Sequence, residues 1–428
     1  MKDLSKLMQA QLKEDHIDLL DSIAETATHD QVSVYVVGGF VRDLLCDIKN
    51  LDIDLVVEGD GIRFAEKLAA KHSWQTQNYE KFGTSTLTLE GLSTIDVATA
   101  RTEYYSHPAA LPEVKPSLIK LDLARRDFTI NSMAIKLNGQ GIFCLIDLFG
   151  GETDLKDGLI RVLHDRSFMD DPSRIFRAIR FEQRFDFCIE SQTKNLIEIA
   201  IKKNFIGGLS GDRLMNEIKI LLNESDPMKC IDRMRELLLL QAIVPEIFDD
   251  KLRWVTLEKI DSALIWADMI PMPKKPEAWF VYFYVLFMID NSEAFEVMMR
   301  RLNFPNNIYD RMCLDRECFA ESMRCLNNEK DLRPSDIYDV FSKPSSEVVI
   351  LLLVVCPSER IKKYAKLYFN KYYKSADIAL NGNDLIEMGI KPGPIIKDVL
   401  KALRDARLNR QVTSIDEEIT LVESRFLK

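Results

Sequence analysis

The sequence has few of the residues that build disulfide frameworks or zinc sites. Its 428 residues include eight cysteines, none of them in a CxxC pair, and five histidines that are scattered along the chain. Zinc sites and disulfide scaffolds need these residues in closely spaced or numerous sets. We therefore expect buried free thiols and a reducing compartment, most simply a cytoplasm.

Long hydrophobic runs are also missing. The longest apolar block, residues 278–289, is too short to span a bilayer, which takes about 20 apolar residues. The first residues, MKDLSKLMQAQLKED, contain no apolar segment of the kind found in signal peptides. With 46% hydrophobic and 29% charged residues, the chain is expected to be a soluble protein of about two to four structural units, without a membrane partner.

An excess of positive charge is absent as well, and this argues weakly against a nucleic-acid partner for the chain as a whole. The net charge is −10. Residues 359–411, however, contain twelve Lys and Arg against six Asp and Glu, a local net charge of +6. A basic segment on an acidic protein predicts a local phosphate-binding surface, although solvated helix faces give the same count.

A compact motif is present in residues 34–57, VYVVGGFVRDLLCDIKNLDIDLVV. Apolar, β-branched runs at its two ends predict two strands, separated by a Gly-Gly turn and a short helix. Asp52 and Asp54 lie at the start of the second strand, where residues two apart share one face. Two such carboxylates can hold Mg²⁺ against a triphosphate, but a lone DxD is also common on solvated strand ends.

A third carboxylate lies in STIDVAT, residues 93–99, which alternates like a half-buried strand. Asp96 on a strand beside the DxD could help to activate an attacking hydroxyl. A buried Asp96 that is satisfied by backbone donors is the simpler alternative.

These features resemble the motifs of a known family. The order of GGxVRD, DxD, ATARTEYY at residues 98–105 and RRDFTIN at residues 125–131 is similar to that in class II tRNA nucleotidyltransferases and bacterial poly(A) polymerases, within the polymerase β superfamily. The resemblance implies that Asp52 and Asp54 bind Mg²⁺, with two ions expected, and that Asp96 helps to activate the RNA 3′-hydroxyl. It also implies a set of nucleotide contacts: Gly38, Gly39, Arg42, Arg126, Asp127 and Asn131.

The segment FMDDPSRIFRAIRFEQRF, residues 168–185, is predicted to be a helix with Pro172 in its first turn. When an Asp and an Arg lie three residues apart on one helical face, the Asp can accept a hydrogen bond from the amine of cytosine or adenine. The Arg can donate a hydrogen bond to an acceptor atom of the same base. DDPSR is similar to the EDxxR motif of the family, which implies that Asp171 and Arg174 read the base and that Arg177 and Arg180 support the phosphates. An arginine-striped amphipathic helix is the alternative.

The resemblance further implies an α/β nucleotidyltransferase head on a mixed sheet of about five strands, followed by an all-α neck, body and tail. The expected ranges are 1–150 for the head, 151–225 for the neck with nucleotide recognition, 226–345 for the body and 346–428 for the tail. In the basic tail, Lys397, Lys401 and Arg404 are expected to contact tRNA. The oligomeric state stays open.

The implied activity is template-independent addition of nucleotides to the 3′ end of tRNA, from CTP and, as a further candidate, ATP. In the family, a loop between the first motifs helps to reshape the nucleotide pocket from C to A. Here that loop, SHPAALPEVKPS after Tyr105, has three prolines, one lysine and no arginine. We therefore expect it to be stiff and poorly able to reshape the pocket from C to A. We therefore predict a CC-adding enzyme. Complete CCA addition, A addition, poly(A) synthesis and a binding module without catalysis are the alternatives.

Overall fold

The computed structural model describes residues 2–48, 52–89, 94–244, 251–287, 292–327 and 331–427, without the side chains of residues 292–294. Ser93 and the last two residues of the apolar block 278–289 lie outside the described residues. The chain divides into two compact units, residues 1–245 and residues 246–428. The finer division into head, neck, body and tail stays a prediction.

The strands of the first unit are β1 (Ser33–Val37), β2 (Ile53–Glu58), β3 (Gln75–Tyr79), β4 (Thr84–Thr88), β5 (Thr94–Thr99), β6 (Arg101–Tyr104), β7 (Glu113–Pro116), β8 (Met133–Lys136), β9 (Leu145–Asp147), β10 (Leu159–Ile160) and β11 (Cys188–Ile189). Seven of these described strands form one sheet in the order β3-β4-β5-β2-β1-β8-β9. In this sheet β2 and β5 are parallel, and the other neighbours are antiparallel. β6 pairs with β7, and β10 with β11.

The helices of the first unit are α1 (Ser5–Gln11), α2 (Glu14–His29), α3 (Gly39–Leu45), α4 (Gly61–His72), α5 (Ile119–Ala124), α6 (Gly151–Asp157), α7 (Ser167–Asp170), α8 (Arg174–Phe185), α9 (Ser191–Lys202), α10 (Gly211–Leu222), α11 (Pro227–Glu236) and α12 (Leu239–Ile243). Short 3₁₀ turns occur at Glu80–Phe82, Thr129–Asn131 and Phe205–Gly208. The centre of the sheet is buried on both faces, which explains the unbroken apolar runs of β1 and β2.

The prediction of an α/β head on a mixed sheet is confirmed, but the expected number of strands was too low. The two ends of the sheet are β3 and β9. β3 (QTQNY) is exposed at all five positions, and β9 has only three residues. Neither edge strand therefore carries the alternation of apolar and polar residues by which a half-buried strand is recognised in a sequence.

The helix predicted over residues 168–185 is divided into α7 and α8. Asp171 precedes Pro172 and has an extended backbone, with φ −137° and ψ 96°. The proline ring disfavours the helical conformation for the residue before it. Asp171 and Arg174 therefore do not share a helical face, and that part of the prediction was wrong.

The described residues of the second unit are helical: α13 (Lys251–Leu257), α14 (Ile260–Asp268), α15 (Ala278–Phe287), α16 (Ser292–Leu302), α17 (Asn306–Leu326), α18 (Pro334–Ser342), α19 (Ser346–Val355), α20 (Glu359–Leu367), α21 (Tyr373–Ser375), α22 (Gly382–Glu387), α23 (Pro394–Leu408) and α24 (Ile415–Phe426). A π-helical segment, Tyr368–Tyr372, joins α20 to α21. The apolar helices α15 and α19 pack against each other in the core. Over the described parts of both units, no helix is long and apolar enough to cross a membrane.

Candidate active site

Three carboxylates lie where the central strands β2 and β5 begin, along the edge of the sheet that is formed by strand ends. The parallel register places Asp54 of β2 beside Asp96 of β5, and Asp52 lies one residue before β2. Asp96 is exposed, and its Oδ1 accepts a 2.6 Å hydrogen bond from the hydroxyl of Thr86. The alternative of a buried Asp96 satisfied by backbone donors is therefore wrong. We call Asp52, Asp54 and Asp96 the acidic edge.

Asp54 is the least exposed member of the acidic edge. Burial raises the pKa of its carboxyl to about 6. This pKa is the net result of burial, of the charge of Arg126, which lowers it, and of the charges of Asp96 and Asp52, which raise it. The three carboxylates therefore interact electrostatically, and a divalent cation bound among them would offset their repulsion.

The residues of the acidic edge fit a Mg²⁺ ion. Asp52 and Asp54 offer hard oxygen ligands, and Mg²⁺ at nucleotide sites is usually held by one or two carboxylates together with substrate phosphates. In the part of the chain that the structure describes, no group of three or more His, Cys, Asp or Glu side chains could hold a metal ion by itself. The acidic edge thus suits an ion that takes its remaining ligands from a nucleotide and water.

The acidic edge opens into a cleft of about 310 Å³ that Asp54, Asp96 and Arg126 help to line. Gly38 has φ +67°, and a Cβ at this position would lie 2.9 Å from Nη1 of Arg126. Glycine therefore both suits the left-handed backbone and leaves room for the guanidinium. The buried Asp122 holds Arg126 by accepting a 3.1 Å hydrogen bond from its Nη2.

Arg42, predicted to receive the triphosphate, is only 6% exposed. Its Nε donates to Oδ1 of Asp43 at 2.8 Å, and its Nη1 donates to Oδ1 of Asn131 at 2.7 Å. The guanidinium carbon lies 4.7 Å from the ring centre of Phe185 and 5.3 Å from that of Phe181. These contacts connect α3 to α8 and to the 3₁₀ turn at Thr129–Asn131. A direct contact of Arg42 with phosphate stays a prediction.

Asp127 and Asn131 continue this hydrogen-bonded chain to α8. Asn131 Nδ2 donates to Oδ1 of Asp127 at 3.1 Å, and Arg177 donates to Oδ2 from Nε at 2.8 Å and from Nη2 at 2.6 Å. Burial alone would raise the pKa of Asp127, but the charge and hydrogen bonds of Arg177 bring it down to about 2. The predicted sugar and phosphate contacts are thus linked to one another inside the first unit.

The predicted base-reading residues are both held by the protein. Oδ1 of Asp171 accepts hydrogen bonds from the amide of Ser173 at 3.0 Å, from its hydroxyl at 2.6 Å and from Nη2 of Arg213 at 2.7 Å. Arg174 is 6% exposed and donates to the hydroxyl of Ser167 at 2.8 Å and to a backbone carbonyl after α5 at 2.7 Å. Asp171 retains 21% side-chain exposure and is therefore the more accessible of the two.

Two residues of α10 belong to this neighbourhood, although neither was singled out from the sequence. Arg213 pairs with Asp171, and Glu217 lies one turn further along, close enough to interact with Arg177 and Arg180. Burial raises the pKa of Glu217, while the two arginines lower it. The charged pair at i and i+4, beside the apolar face of α10, was the available signal.

Two of the three predicted RNA contacts in the second unit are engaged within that unit. Nζ of Lys401 lies 2.7 Å from Oδ2 of Asp339, and Nη2 of Arg404 lies 3.1 Å from Oδ1 of the same residue. Arg404 also stacks on Tyr338, with 4.7 Å between the guanidinium carbon and the ring centre. Lys397 is exposed.

The lysines of a basic cleft in the second unit lie within the basic segment 359–411 predicted from the sequence, although they were not singled out there individually. The volume of the cleft is about 620 Å³, and it is lined by Trp266, Glu359, Leu367 and Asn370 together with four lysines: Lys362, Lys363, Lys366 and Lys371. The lysines belong to α20 and the π-helical segment. We call this feature the lysine cleft. It combines positive charge with an aromatic ring, which is typical of surfaces that bind single-stranded or terminal nucleotides.

Comparison with known families assigns models to most of the chain. Residues 34–161 match the model described as "Poly A polymerase head domain". Residues 186–251 match "Probable RNA and SrmB- binding site of polymerase A", and residues 271–422 match domain 2 of tRNA nucleotidyltransferases.

Several relatives are similar along much of the chain. An A-adding tRNA nucleotidyltransferase of Geobacter sulfurreducens is 37% identical over 98% of this chain, which spans 48% of that relative's length. An enzyme of the same name from Halalkalibacterium halodurans is 32% identical over 93% of this chain and 90% of its own. A CC-adding relative from Deinococcus radiodurans is 34% identical over 51% of this chain and 57% of its own.

Among solved structures, the Thermotoga maritima CCA-adding enzyme complexed with tRNA_CCA has a TM-score of 0.78 and 33% identity, over 99% of this chain and 98% of that one. The fold and these likenesses define the class of protein as a nucleotidyltransferase. The chain belongs to the tRNA nucleotidyltransferase family.

Proposed function

We propose that this chain transfers a nucleotide from a nucleoside triphosphate to the 3′ end of tRNA without a template. The acidic edge is the observation that carries the proposal, because Asp54 and Asp96 lie side by side on parallel strands in a cleft that also contains Arg126. The names of the relatives, and the tRNA in the solved Thermotoga complex, support tRNA as the acceptor.

In this reaction the 3′-hydroxyl oxygen of the RNA bonds to the α-phosphorus, and the bond from that phosphorus to pyrophosphate breaks. Asp52 and Asp54 would hold Mg²⁺, which supplies neutralisation of the charge on the phosphate oxygens. Asp96 accepts the hydroxyl proton, since Thr86 fixes one of its oxygens and the side chain lines the cleft. Arg126 donates to phosphate oxygens beside the acidic edge. A second Mg²⁺ ion stays a prediction.

We propose that Asp171 is the residue that mainly determines which base is selected. Its Oδ1 is held by Ser173 and Arg213, so its Oδ2 is the atom that can accept from the amine of adenine or cytosine. Uracil presents an acceptor at the same place and would be refused. Arg174, Arg177 and Arg180 lie on α8 behind it, and we propose that they orient the base and the phosphates.

The loop after Tyr105 supports an enzyme with one specificity. Its second half is not a loop but forms β7, which pairs with β6 just before the segment, and Ala109 and Ala110 between the two strands are buried. A loop fixed in this way supports a partial enzyme but does not distinguish A addition from CC addition. Two relatives named A-adding match 98% and 93% of the chain, whereas the CC-adding relative matches 51% of it. The Thermotoga CCA-adding enzyme matches 99% of the chain, but complete CCA addition is disfavoured by the fixed loop. We therefore propose addition of the terminal A, and CC addition stays a prediction from the sequence.

The test uses two tRNA transcripts, one ending at the discriminator base and one ending in CC. Each is incubated with Mg²⁺ and CTP, ATP or both. A addition extends only the CC-ended transcript, by one residue and with ATP alone. CC addition extends the shorter transcript by two residues with CTP. Extension of the shorter transcript by three residues indicates complete CCA addition, long A tails indicate a poly(A) polymerase, and no extension indicates a binding module.

A further inference from the structure

The proline-rich loop docks on the neighbouring helical region through Ala109. This residue has φ +62°, in the left-handed region that non-glycine residues rarely adopt. It is 8% exposed, and its amide donates to the carbonyl of Met169 at 3.4 Å. A strained, buried residue in a loop persists only where the surrounding contacts hold it there.

The surface under Ala109 has room for the loop because residue 208 is glycine. A Cβ at Gly208 would lie 3.1 Å from Cβ of Ala109 and 3.6 Å from the carbonyl oxygen of Pro108. A larger side chain at Gly208 would therefore push the loop away. The position of the loop thus depends on the 3₁₀ turn Phe205–Gly208 just before α10.

Arg213 connects this docked loop to the base-reading carboxylate. Its Nη1 donates to the carbonyl of Ala109 at 3.1 Å, and its Nη2 donates to Oδ1 of Asp171 at 2.7 Å. The guanidinium is planar and rigid, so its two donors cannot move independently. A shift of the loop carbonyl therefore turns the guanidinium and with it the carboxylate of Asp171.

We propose that Arg213 is a specificity-determining positioning residue that couples the loop to Asp171. The proposal rests on the proposed function, in which Asp171 accepts from the amine of the incoming base. With the loop docked, Arg213 and Ser173 together occupy Oδ1 of Asp171, and Arg213 fixes the plane of the carboxylate so that Oδ2 is directed to the base. With the loop displaced, the carboxylate turns and accepts bases less selectively.

The test compares three variants of the full chain. Arg213→Ala removes both hydrogen bonds, Arg213→Lys keeps the charge but not the two-pronged donor, and Gly208→Val displaces the loop while Arg213 stays in place. Arg184→Ala is the matched control, because Arg184 is an arginine of α8 whose ion pair is with Glu224. Selectivity is measured as the ratio of kcat/KM for the preferred nucleotide to kcat/KM for UTP. Loop docking is measured by hydrogen exchange of residues 106–112.

We expect Arg213→Ala and Gly208→Val to lower the selectivity ratio about tenfold or more, Arg213→Lys to lower it less, and Arg184→Ala to leave it unchanged. The loop should exchange faster in Arg213→Ala. Unchanged selectivity in Arg213→Ala, or a loss in Arg213→Ala without a loss in Gly208→Val, would overturn the coupling. Hydrogen exchange requires no catalysis, so failure of the wild-type chain to extend tRNA contradicts the proposed function separately.

Discussion

The ion pair of Asp127 and Arg177 should stabilise the first unit by a measurable amount. Asp127 is 8% exposed and accepts two hydrogen bonds from Arg177, at 2.8 and 2.6 Å. Despite burial, Arg177 and Asn131 lower the pKa of Asp127 from its usual 3.8 to about 2. A tenfold change in an ionisation constant corresponds to about 1.4 kcal/mol, so the ionised carboxylate contributes about 2 kcal/mol at neutral pH.

The perturbation is Asp127→Asn, which keeps the shape of the side chain but removes its charge. We expect the free energy of unfolding of the first unit to fall by about 2 kcal/mol at pH 7. Native-state hydrogen exchange of the α8 amides is the assay, because a chain of two units need not unfold in one step. Asp186→Asn is the control, since Asp186 is exposed and should change stability by less than about 0.5 kcal/mol.

The pH dependence has a definite sign. The pKa of Asp127 is lower in the folded protein than in the unfolded chain, so its contribution is complete above about pH 4 and is lost as the pH falls toward 2. The difference between wild type and Asp127→Asn should therefore shrink over this range. Equal stability of the two proteins at pH 7, or an undiminished difference near pH 2, would show that the ionised carboxylate of Asp127 does not stabilise the first unit.

Three further predictions concern the site and the RNA. Asp54→Ala should lower nucleotide transfer at least about 10²–10³-fold with an unchanged circular dichroism spectrum; transfer at a tenth of the normal rate would contradict the metal assignment. Asp171→Ala should lower the preference for ATP over UTP roughly ten- to a hundredfold in steady-state kinetics, and an unchanged preference would remove Asp171 from base choice. Charge reversal in the lysine cleft by Lys362→Glu, Lys363→Glu and Lys366→Glu should weaken tRNA binding and flatten its salt dependence, as measured by filter binding. Equal tRNA affinity of variant and wild type at low salt would contradict this prediction.

The acidic edge could be predicted from the sequence because its signals are local. The apolar runs and the Gly-Gly turn define β1, α3 and β2, and alternation in STIDVAT marks the strand of Asp96. The parallel pairing of β2 and β5 that places Asp54 beside Asp96 is a non-local feature, which these local signals do not give. The role of each carboxylate came from family resemblance.

The contacts that hold the site could not be predicted in the same way. Arg42 and Asn131 are separated by 89 residues, and Arg213 and Asp171 by 42, so their pairing depends on the packed fold. Pro172 was read as a helix start, although its ring also forces Asp171 out of the helix. Edge strands such as β3 bury too little to leave an apolar pattern.

The most direct test of the proposed function is single-turnover extension of a tRNA transcript ending in CC, with Mg²⁺ and radiolabelled ATP, by the wild-type chain and by Asp54→Ala. We expect one added A by the wild-type chain, no reaction without Mg²⁺ and a loss of at least about 10²-fold in the variant. Addition by Asp54→Ala at the wild-type rate, or no addition of A to this transcript by the wild-type chain, would contradict the proposal.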